Sequence, residues 1–207
     1  MIRAVFIDAL GTLVALRPPW ELLADAVPEA DPADLRRAVE AEMRYYKDHC
    51  DEGRDAQSLA ALRQRSAEVL SAELGHEVDA ETLMRAIRFD AYPDAAPALQ
   101  TLRARGLALL AVSNWDISLA GVLDEVGLLA GLDGVVTSAA ARARKPDPAI
   151  FRTALHEAGV RAAEALHVGD SAEEDVAGAR AAGIRPLLID REGGGDIGAL
   201  TEIERLL

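Results

Sequence analysis

The sequence is poor in cysteine and in basic residues. Cys50 is the only cysteine among 207 residues, so no internal disulfide can form, and a reducing compartment is expected. Lys and Arg number 22 against 35 Asp and Glu, which gives a net charge of −13. This charge disfavours binding to nucleic acid, and we expect no nucleic-acid partner. It does not exclude a small anionic substrate, because a pocket can be locally positive.

The sequence also lacks long apolar runs. No run reaches the roughly 18 residues that a membrane-spanning helix needs. The apolar segment at the N-terminus has no basic n-region before it and is interrupted by Asp8. We therefore expect no signal peptide, no membrane partner and a cytoplasmic protein.

The pattern of apolar residues divides the chain into a core and an insertion. Residues 2–8 (IRAVFID) predict a short buried strand, and residues 17–90 are helical in composition and contain no segment that reads as a strand. From residue 92 onward, strand and helix patterns alternate, which is typical of a parallel sheet with helices on both faces. We predict an α/β core of residues 1–16 and 91–207 with a helical insertion, residues 17–90.

Capping residues mark several helix boundaries. Asp31 followed by Pro32 predicts the start of one helix, and Gly75 predicts the end of the next. Near the C-terminus, residues 172–183 and 197–207 each predict a single helix.

Three predicted strands of the core end in polar residues. They end at Asp8, at Ser113-Asn114 and at Gly169-Asp170. In an open parallel sheet the carboxyl ends of the strands form the ligand crevice, so we expect these side chains to converge. Asp8 also lies between apolar neighbours, where a carboxylate needs a partner.

Four segments resemble, in order, the four motifs of the haloacid dehalogenase (HAD) superfamily. They are DALGTL at Asp8, LLAVSN ending at Asn114, KPDPAIF beginning at Lys145, and HVGDSAEEDVAGARAAG, which contains Asp170 and Asp175. The insertion between the first two resembles the type-1 helical cap of that superfamily. The resemblance implies a Rossmann-like α/β fold with a parallel sheet of order 3-2-1-4-5, counting strands along the chain, and an inserted α-helical cap.

The resemblance further implies a phosphatase that acts on a small phosphorylated metabolite. Asp8 would be the nucleophile and would form an aspartyl-phosphate. Ser113 and the backbone N–H of Asn114 would bind the phosphoryl oxygens. Lys145 would neutralise charge on Asp8 and on the phosphoryl group, and Thr12 would brace the loop after the first strand.

The same resemblance implies a Mg²⁺ cofactor. The carboxylates of Asp8 and Asp170 and the backbone carbonyl of Leu10 would be ligands, because Mg²⁺ prefers oxygen. Asp175 would complete the metal site through water or orient the loop.

Leu10 departs from the motif of the superfamily's phosphatases. Their second Asp, which protonates the leaving group and later activates water, belongs at this position. Loss of a general acid/base costs about 10²–10⁴ in rate, so we predict weak activity that is better on activated aryl phosphates. Asp116 either contributes to the crevice or caps the helix that follows it.

Two alternatives remain open at the level of sequence. A 2-haloacid dehalogenase also lacks the second Asp, since halide leaves without a proton, and Arg36, Arg37 or Arg44 of the insertion would then bind halide. The segment GDSAEED, however, resembles the metal-binding version of the fourth motif. The other alternative is a non-catalytic member that binds a phosphorylated ligand or a protein. The sequence carries no signal for an oligomeric state.

Overall fold

A five-stranded parallel sheet forms the centre of the molecule in a computed structural model that describes residues 1–207. The strands of the chain are β1 (Ala4–Ile7), β2 (Val14–Leu16), β3 (Phe89–Ala91), β4 (Ala108–Ser113), β5 (Gly134–Thr137), β6 (Ala165–Gly169) and β7 (Arg185–Leu188). The central sheet has the order β5-β4-β1-β6-β7. Counting only these five strands along the chain, the order is 3-2-1-4-5, so the predicted fold is confirmed.

Helices of the core cover both faces of this sheet, and four further helices, α1 to α4, form the insertion. In chain order, the nine helices are α1 (Pro19–Ala26), α2 (Pro32–His49), α3 (Ala56–Leu74), α4 (Ala80–Ala86), α5 (Ala95–Ala104), α6 (Leu119–Glu125), α7 (Ser138–Ala141), α8 (Pro148–Ala158) and α9 (Gly178–Ala181). Alternate residues of β1 enter opposite apolar layers: Val5 and Ile7 pack in one, and Ala4 and Phe6 in the other. Burial on both faces explains why β1 reads as a continuous apolar run.

The inserted helices have an apolar core of their own. Leu23, Leu35, Leu70 and Leu83, one from each of α1 to α4, are fully or almost fully buried in it. As predicted, the Asp31 side chain accepts a hydrogen bond of 2.8 Å at the start of α2. No helix of the chain is long and apolar enough to cross a membrane.

The prediction that residues 17–90 contain no strand was wrong. β3 pairs with β2 in a short antiparallel ribbon where the insertion leaves and rejoins the core. Each strand has only three residues and a partner more than seventy positions away, so neither carries a local periodic signal. The division into a core of residues 1–16 and 91–207 and a cap of residues 17–90 stays a prediction, and this ribbon lies across its boundaries.

Two helix predictions in the C-terminal part were also wrong in detail. Residues 172–177 form a wide, π-type turn, and only α9 continues as α-helix. Asp175 lies in this turn, where its side chain accepts the N–H of Ser171 at 3.0 Å, and such widened turns are frequent at functional sites. The last helix is a 3₁₀-helix over Leu200–Leu206, whose first N–H donates to Asp94 at 2.6 Å.

Candidate active site

The polar strand ends converge on one cavity, as the sequence predicts. β1 lies between β4 and β6, so the residues that end these three strands become neighbours. The cavity has a volume of about 760 Å³ and lies between the ends of the sheet strands and helices α2 to α4. Six of the eight predicted site residues line it: Asp8, Leu10, Ser113, Asn114, Asp170 and Asp175.

Lys145 lies beneath the cavity and joins two carboxylates. Its Nζ donates to Oδ1 of Asp8 and to Oδ1 of Asp175, each at 2.5 Å, and only 2% of the side chain is exposed. Burial alone would lower the pKa of Lys145, but the two carboxylates outweigh it and raise that pKa above its ordinary value. The ammonium group therefore stays charged at the position where the resemblance requires a cation.

The two carboxylates respond differently to this shared cation. Burial raises the pKa of Asp8 above its ordinary value, in spite of the attraction of Lys145. Burial acts on Asp175 as well, but Lys145 and a hydrogen bond of 2.8 Å with Nε2 of His167 hold its pKa well below the usual range. Both oxygens of Asp175 are thus engaged with nitrogen groups of the protein, because the second accepts the N–H of Ser171.

The acidic residues form a cluster that fits a divalent cation. Carboxylate oxygens of Asp8, Asp170 and Asp175 lie within 4.8 Å of one another. Burial, followed by repulsion from Asp8 and Asp175, raises the pKa of Asp170 to about 6. The carbonyl of Leu10 accepts no hydrogen bond, whereas the carbonyl of Ala9 accepts the N–H of Val14 at 2.9 Å. Three carboxylates face one ammonium, and oxygen donors with excess negative charge suit Mg²⁺.

Gly11 allows Asp170 to approach the loop after β1. Its φ is +82°, a conformation that favours glycine, and a Cβ atom at this position would lie 2.1 Å from Oδ2 of Asp170. Any side chain there would push the Asp170 carboxylate away from Asp8. The glycine of the DALGTL segment therefore has a direct role in the geometry of the acidic cluster.

Arg191 supports the same loop, which the sequence analysis did not foresee. Its guanidinium donates to the carbonyl of Thr12 at 2.7 Å, pairs with Asp94 at 3.0 Å and stacks on Tyr92 with 3.6 Å to the ring centroid. The Thr12 hydroxyl is fully buried and has no hydrogen-bond partner in the protein. The bracing passes through the Thr12 carbonyl instead.

Asn114 has a second role beyond its predicted backbone contact. Its side chain accepts the N–H of Lys145 at 2.7 Å and donates to the carbonyl of the same residue at 3.0 Å. The amide also donates to Glu174 at 3.1 Å. Asn114 thereby fixes the backbone that carries the Lys145 side chain, although the two residues are 31 positions apart.

Leu10 places an apolar side chain, 41% exposed, at the cavity. Asp116 lies on the same wall and is engaged at both oxygens. One oxygen accepts the N–H of Ser118 at 2.7 Å, just before α6, and the other accepts the hydroxyl of Tyr46 at 2.9 Å. Asp116 is thus not the N-cap of α6, which is Ser118; it closes the turn before that helix and ties α2 to the core.

The three arginines proposed for halide binding differ in their surroundings. Arg36 lies over the ring of Trp20, with 4.7 Å to its centroid, and Arg37 pairs with Asp34. Of these three arginines, only Arg44 lines the cavity.

Comparison with known proteins identifies the family. Residues 2–183 match the haloacid dehalogenase-like hydrolase family. The chain is 47% identical over 95 residues to the haloacid dehalogenase-like hydrolase domain-containing protein 3 of Bos taurus, an alignment that covers 46% of this chain and 38% of that protein. It is 27% identical over 206 residues to the glyceraldehyde 3-phosphate phosphatase of Methanopyrus kandleri, covering 92% of this chain and 85% of that protein.

Solved structures resemble the chain over its whole length. A HAD phosphatase from Thermococcus onnurineus has a TM-score of 0.72 at 26% identity, covering 99% of this chain and 97% of that one. An L-2-haloacid dehalogenase from Xanthobacter autotrophicus has a TM-score of 0.73 at 25% identity, covering 100% and 98%. The chain spans less than half the length of the domain-containing protein 3 relatives. With the family match over residues 2–183, these findings establish that the chain belongs to the haloacid dehalogenase-like hydrolases.

Proposed function

We propose that this hydrolase is a Mg²⁺-dependent phosphatase that acts on small phosphate monoesters through an aspartyl-phosphate on Asp8. The observation that carries the proposal is the position of Lys145, whose ammonium lies 2.5 Å from both Asp8 and Asp175 beside the cavity. The similarity to a phosphatase of a sugar phosphate supports this substrate class. The single cysteine, Cys50, supports a reducing, cytoplasmic location.

In this mechanism Asp8 supplies the nucleophilic oxygen. Lys145 holds Oδ1 of Asp8, so Oδ2 attacks phosphorus while the bond from phosphorus to the leaving oxygen breaks. Water then hydrolyses the acyl phosphate, which releases inorganic phosphate and restores the carboxylate. Ser113 and the backbone N–H of Asn114 hold the phosphoryl oxygens, and Lys145 offsets their charge throughout.

The carboxylates of Asp8 and Asp170 and the carbonyl of Leu10 would hold Mg²⁺. When bound, the ion supplies positive charge that reduces the repulsion between the Asp8 carboxylate and the phosphate dianion. Asp175 is engaged with Lys145, His167 and Ser171, so we assign it the orienting role rather than that of a direct ligand.

Leu10 determines which esters should react. An alkoxide leaving group needs a proton, and no acid stands at the position where the superfamily's phosphatases carry one. A nitrophenolate leaves as an anion and needs none. We therefore expect kcat/KM, which reports the step in which the leaving group departs, to be at least about 10²-fold higher for p-nitrophenyl phosphate than for a simple alkyl phosphate.

Phosphate release from both esters, with Mg²⁺ and with EDTA, tests the proposal. The Asp8→Asn variant keeps the side-chain shape and removes the nucleophile, so it should be inactive on both. Equal values of kcat/KM for the two esters would overturn the assigned role of Leu10, and full activity of Asp8→Asn would overturn the mechanism.

A second candidate function is that of a 2-haloacid dehalogenase. Two observations favour it: position 10 carries leucine instead of an acidic residue, and the chain is similar to the Xanthobacter enzyme. The excess of carboxylates at Asp8, Asp170 and Asp175 counts against it, because a 2-haloacid is itself an anion and halide release needs no metal. Chloride release from 2-chloropropionate in EDTA, lost in Asp8→Asn, would establish this activity. If neither phosphate nor chloride were released, the third possibility would be favoured: a non-catalytic member of the family that binds a phosphorylated ligand or a protein.

A further inference from the structure

The cavity continues from the acidic cluster into the inserted helices, where apolar and charged side chains share its walls. Leu16, Met43, Leu62 and Met84 line this part. Four basic residues line it too, Arg44, Lys47, Arg63 and Arg88. Glu42 on α2 and Ser66 on α3 differ from them because they are buried, with only 3% and 1% of their surfaces exposed. The proposed phosphatase mechanism uses neither of them.

Glu42 and Ser66 are neighbours without adequate partners in the protein. The Ser66 hydroxyl faces the Glu42 carboxylate, where it opposes the effect of burial on the pKa of Glu42, and it has no other partner in the protein. No ion pair reaches Glu42, and burial raises the pKa of its carboxyl to about 6. A buried carboxylate with no cation is unfavourable for folding, so its position on a cavity wall points to a partner that the ligand brings.

The helix geometry places this pair one helical turn further from the core than Tyr46 and Leu62. Tyr46 reaches Asp116 of the core, and Glu42 precedes it by one turn of α2. Leu62 lies close to Gly53, which in turn contacts Asp116, and Ser66 follows Leu62 by one turn of α3. Four residues of helix advance about 6 Å, so both side chains lie roughly that far beyond the contact between α2 and the core.

We propose that Glu42 and Ser66 select the substrate by binding a hydrogen-bond donor, an ammonium or a hydroxyl group, on the organic part of the phosphate ester. This inference rests on the proposed function, since Asp8 must hold the phosphoryl group at the other end. The apolar wall between the two ends fits a hydrocarbon segment. The substrate class is therefore a phosphate monoester with an apolar middle and a donor group at its far end.

Binding of stable phosphonates tests this inference without requiring turnover. The probes are benzylphosphonates with a para chain of one to three methylenes that ends in an amine, a hydroxyl or a methyl group. Calorimetric titration in Mg²⁺ compares wild type with Glu42→Gln and Ser66→Ala. Glu40→Gln is the matched control, because it makes the same change at an exposed site on the same helix.

In wild type, at least one chain length should bind about 10-fold to 100-fold more tightly with a donor group than with methyl. Loss of this preference in Glu42→Gln for the amine alone identifies an ammonium. A preference that survives in Glu42→Gln but falls in Ser66→Ala identifies a hydroxyl. Glu40→Gln should behave as wild type.

Equal or tighter binding of the methyl probes at every length would overturn the inference. A donor preference untouched by both cavity variants would also overturn it, and so would the absence of binding by any probe. The same preparations are assayed with p-nitrophenyl phosphate. Hydrolysis of p-nitrophenyl phosphate without a preference for donor probes would refute only the role of Glu42 and Ser66. A preparation that neither hydrolyses this ester nor binds any phosphonate would refute the proposed function as well.

Discussion

Replacement of Glu42 by Gln should stabilise the protein at neutral pH but not in acid. The change keeps the shape of the side chain and removes a buried charge that no cation offsets. Burial raises the pKa of Glu42 from 4.5 to about 6 in the folded protein. This difference corresponds to about 2 kcal/mol of the free energy of unfolding.

The direction of the pH dependence follows from proton binding. The folded protein holds the Glu42 proton more tightly than the unfolded chain, so this contribution to stability is complete below pH 4.5. It is lost as the pH rises through about 6. Wild type should therefore lose about 2 kcal/mol between pH 4 and pH 8 that Glu42→Gln does not lose.

Urea unfolding from pH 4 to pH 8 measures this difference, with Glu40→Gln as the control. The gain in stability of Glu42→Gln over wild type should grow by about 2 kcal/mol across that range, while Glu40→Gln should stay near zero. A gain that does not change with pH would refute the reasoning, because it would show that the carboxyl titrates alike in the folded and unfolded chains.

Two substitutions test the loop after β1. Gly11→Ala should weaken Mg²⁺ binding, measured by calorimetry, about 10-fold or more, because its Cβ would meet Asp170 at 2.1 Å. Gly106→Ala, with a similar positive φ and open space around it, should cost stability without changing the Mg²⁺ affinity. Arg191→Ala should lower kcat on p-nitrophenyl phosphate about 10-fold and leave the circular dichroism spectrum unchanged, whereas Arg205→Ala, at an exposed pair, should leave kcat unchanged. Unaltered kcat in Arg191→Ala would exclude the bracing role.

The arrangement of the site could be predicted where it depends on strand order. Asp8, Ser113 and Asp170 each end an apolar strand, and a parallel sheet brings such ends to one edge whatever the details of the loops. Lys145 could be assigned through its motif, although its neighbours in the sequence gave no sign that its side chain would be buried.

Contacts between distant residues could not be predicted in this way. Arg191 meets Thr12 across 179 positions, and no local pattern distinguishes it from a surface arginine. His167 sits in an apolar strand, and only the folded chain shows that it bonds to Asp175. Glu42 resembles any other acidic residue of a helix, because its burial depends on how α2 and α3 pack.

The central claim is a phosphatase site that lacks its acid at Leu10. The most direct test is hydrolysis of an alkyl phosphate and of p-nitrophenyl phosphate in Mg²⁺ by wild type and Leu10→Asp, with Leu10→Asn as a control of similar shape that donates no acidic proton. Leu10→Asp should raise kcat/KM for the alkyl ester, which reports departure of the leaving group, at least about 10²-fold above wild type, with little gain in kcat/KM for the aryl ester, and Leu10→Asn should not. No gain in Leu10→Asp, or an equal gain in Leu10→Asn, would contradict the account.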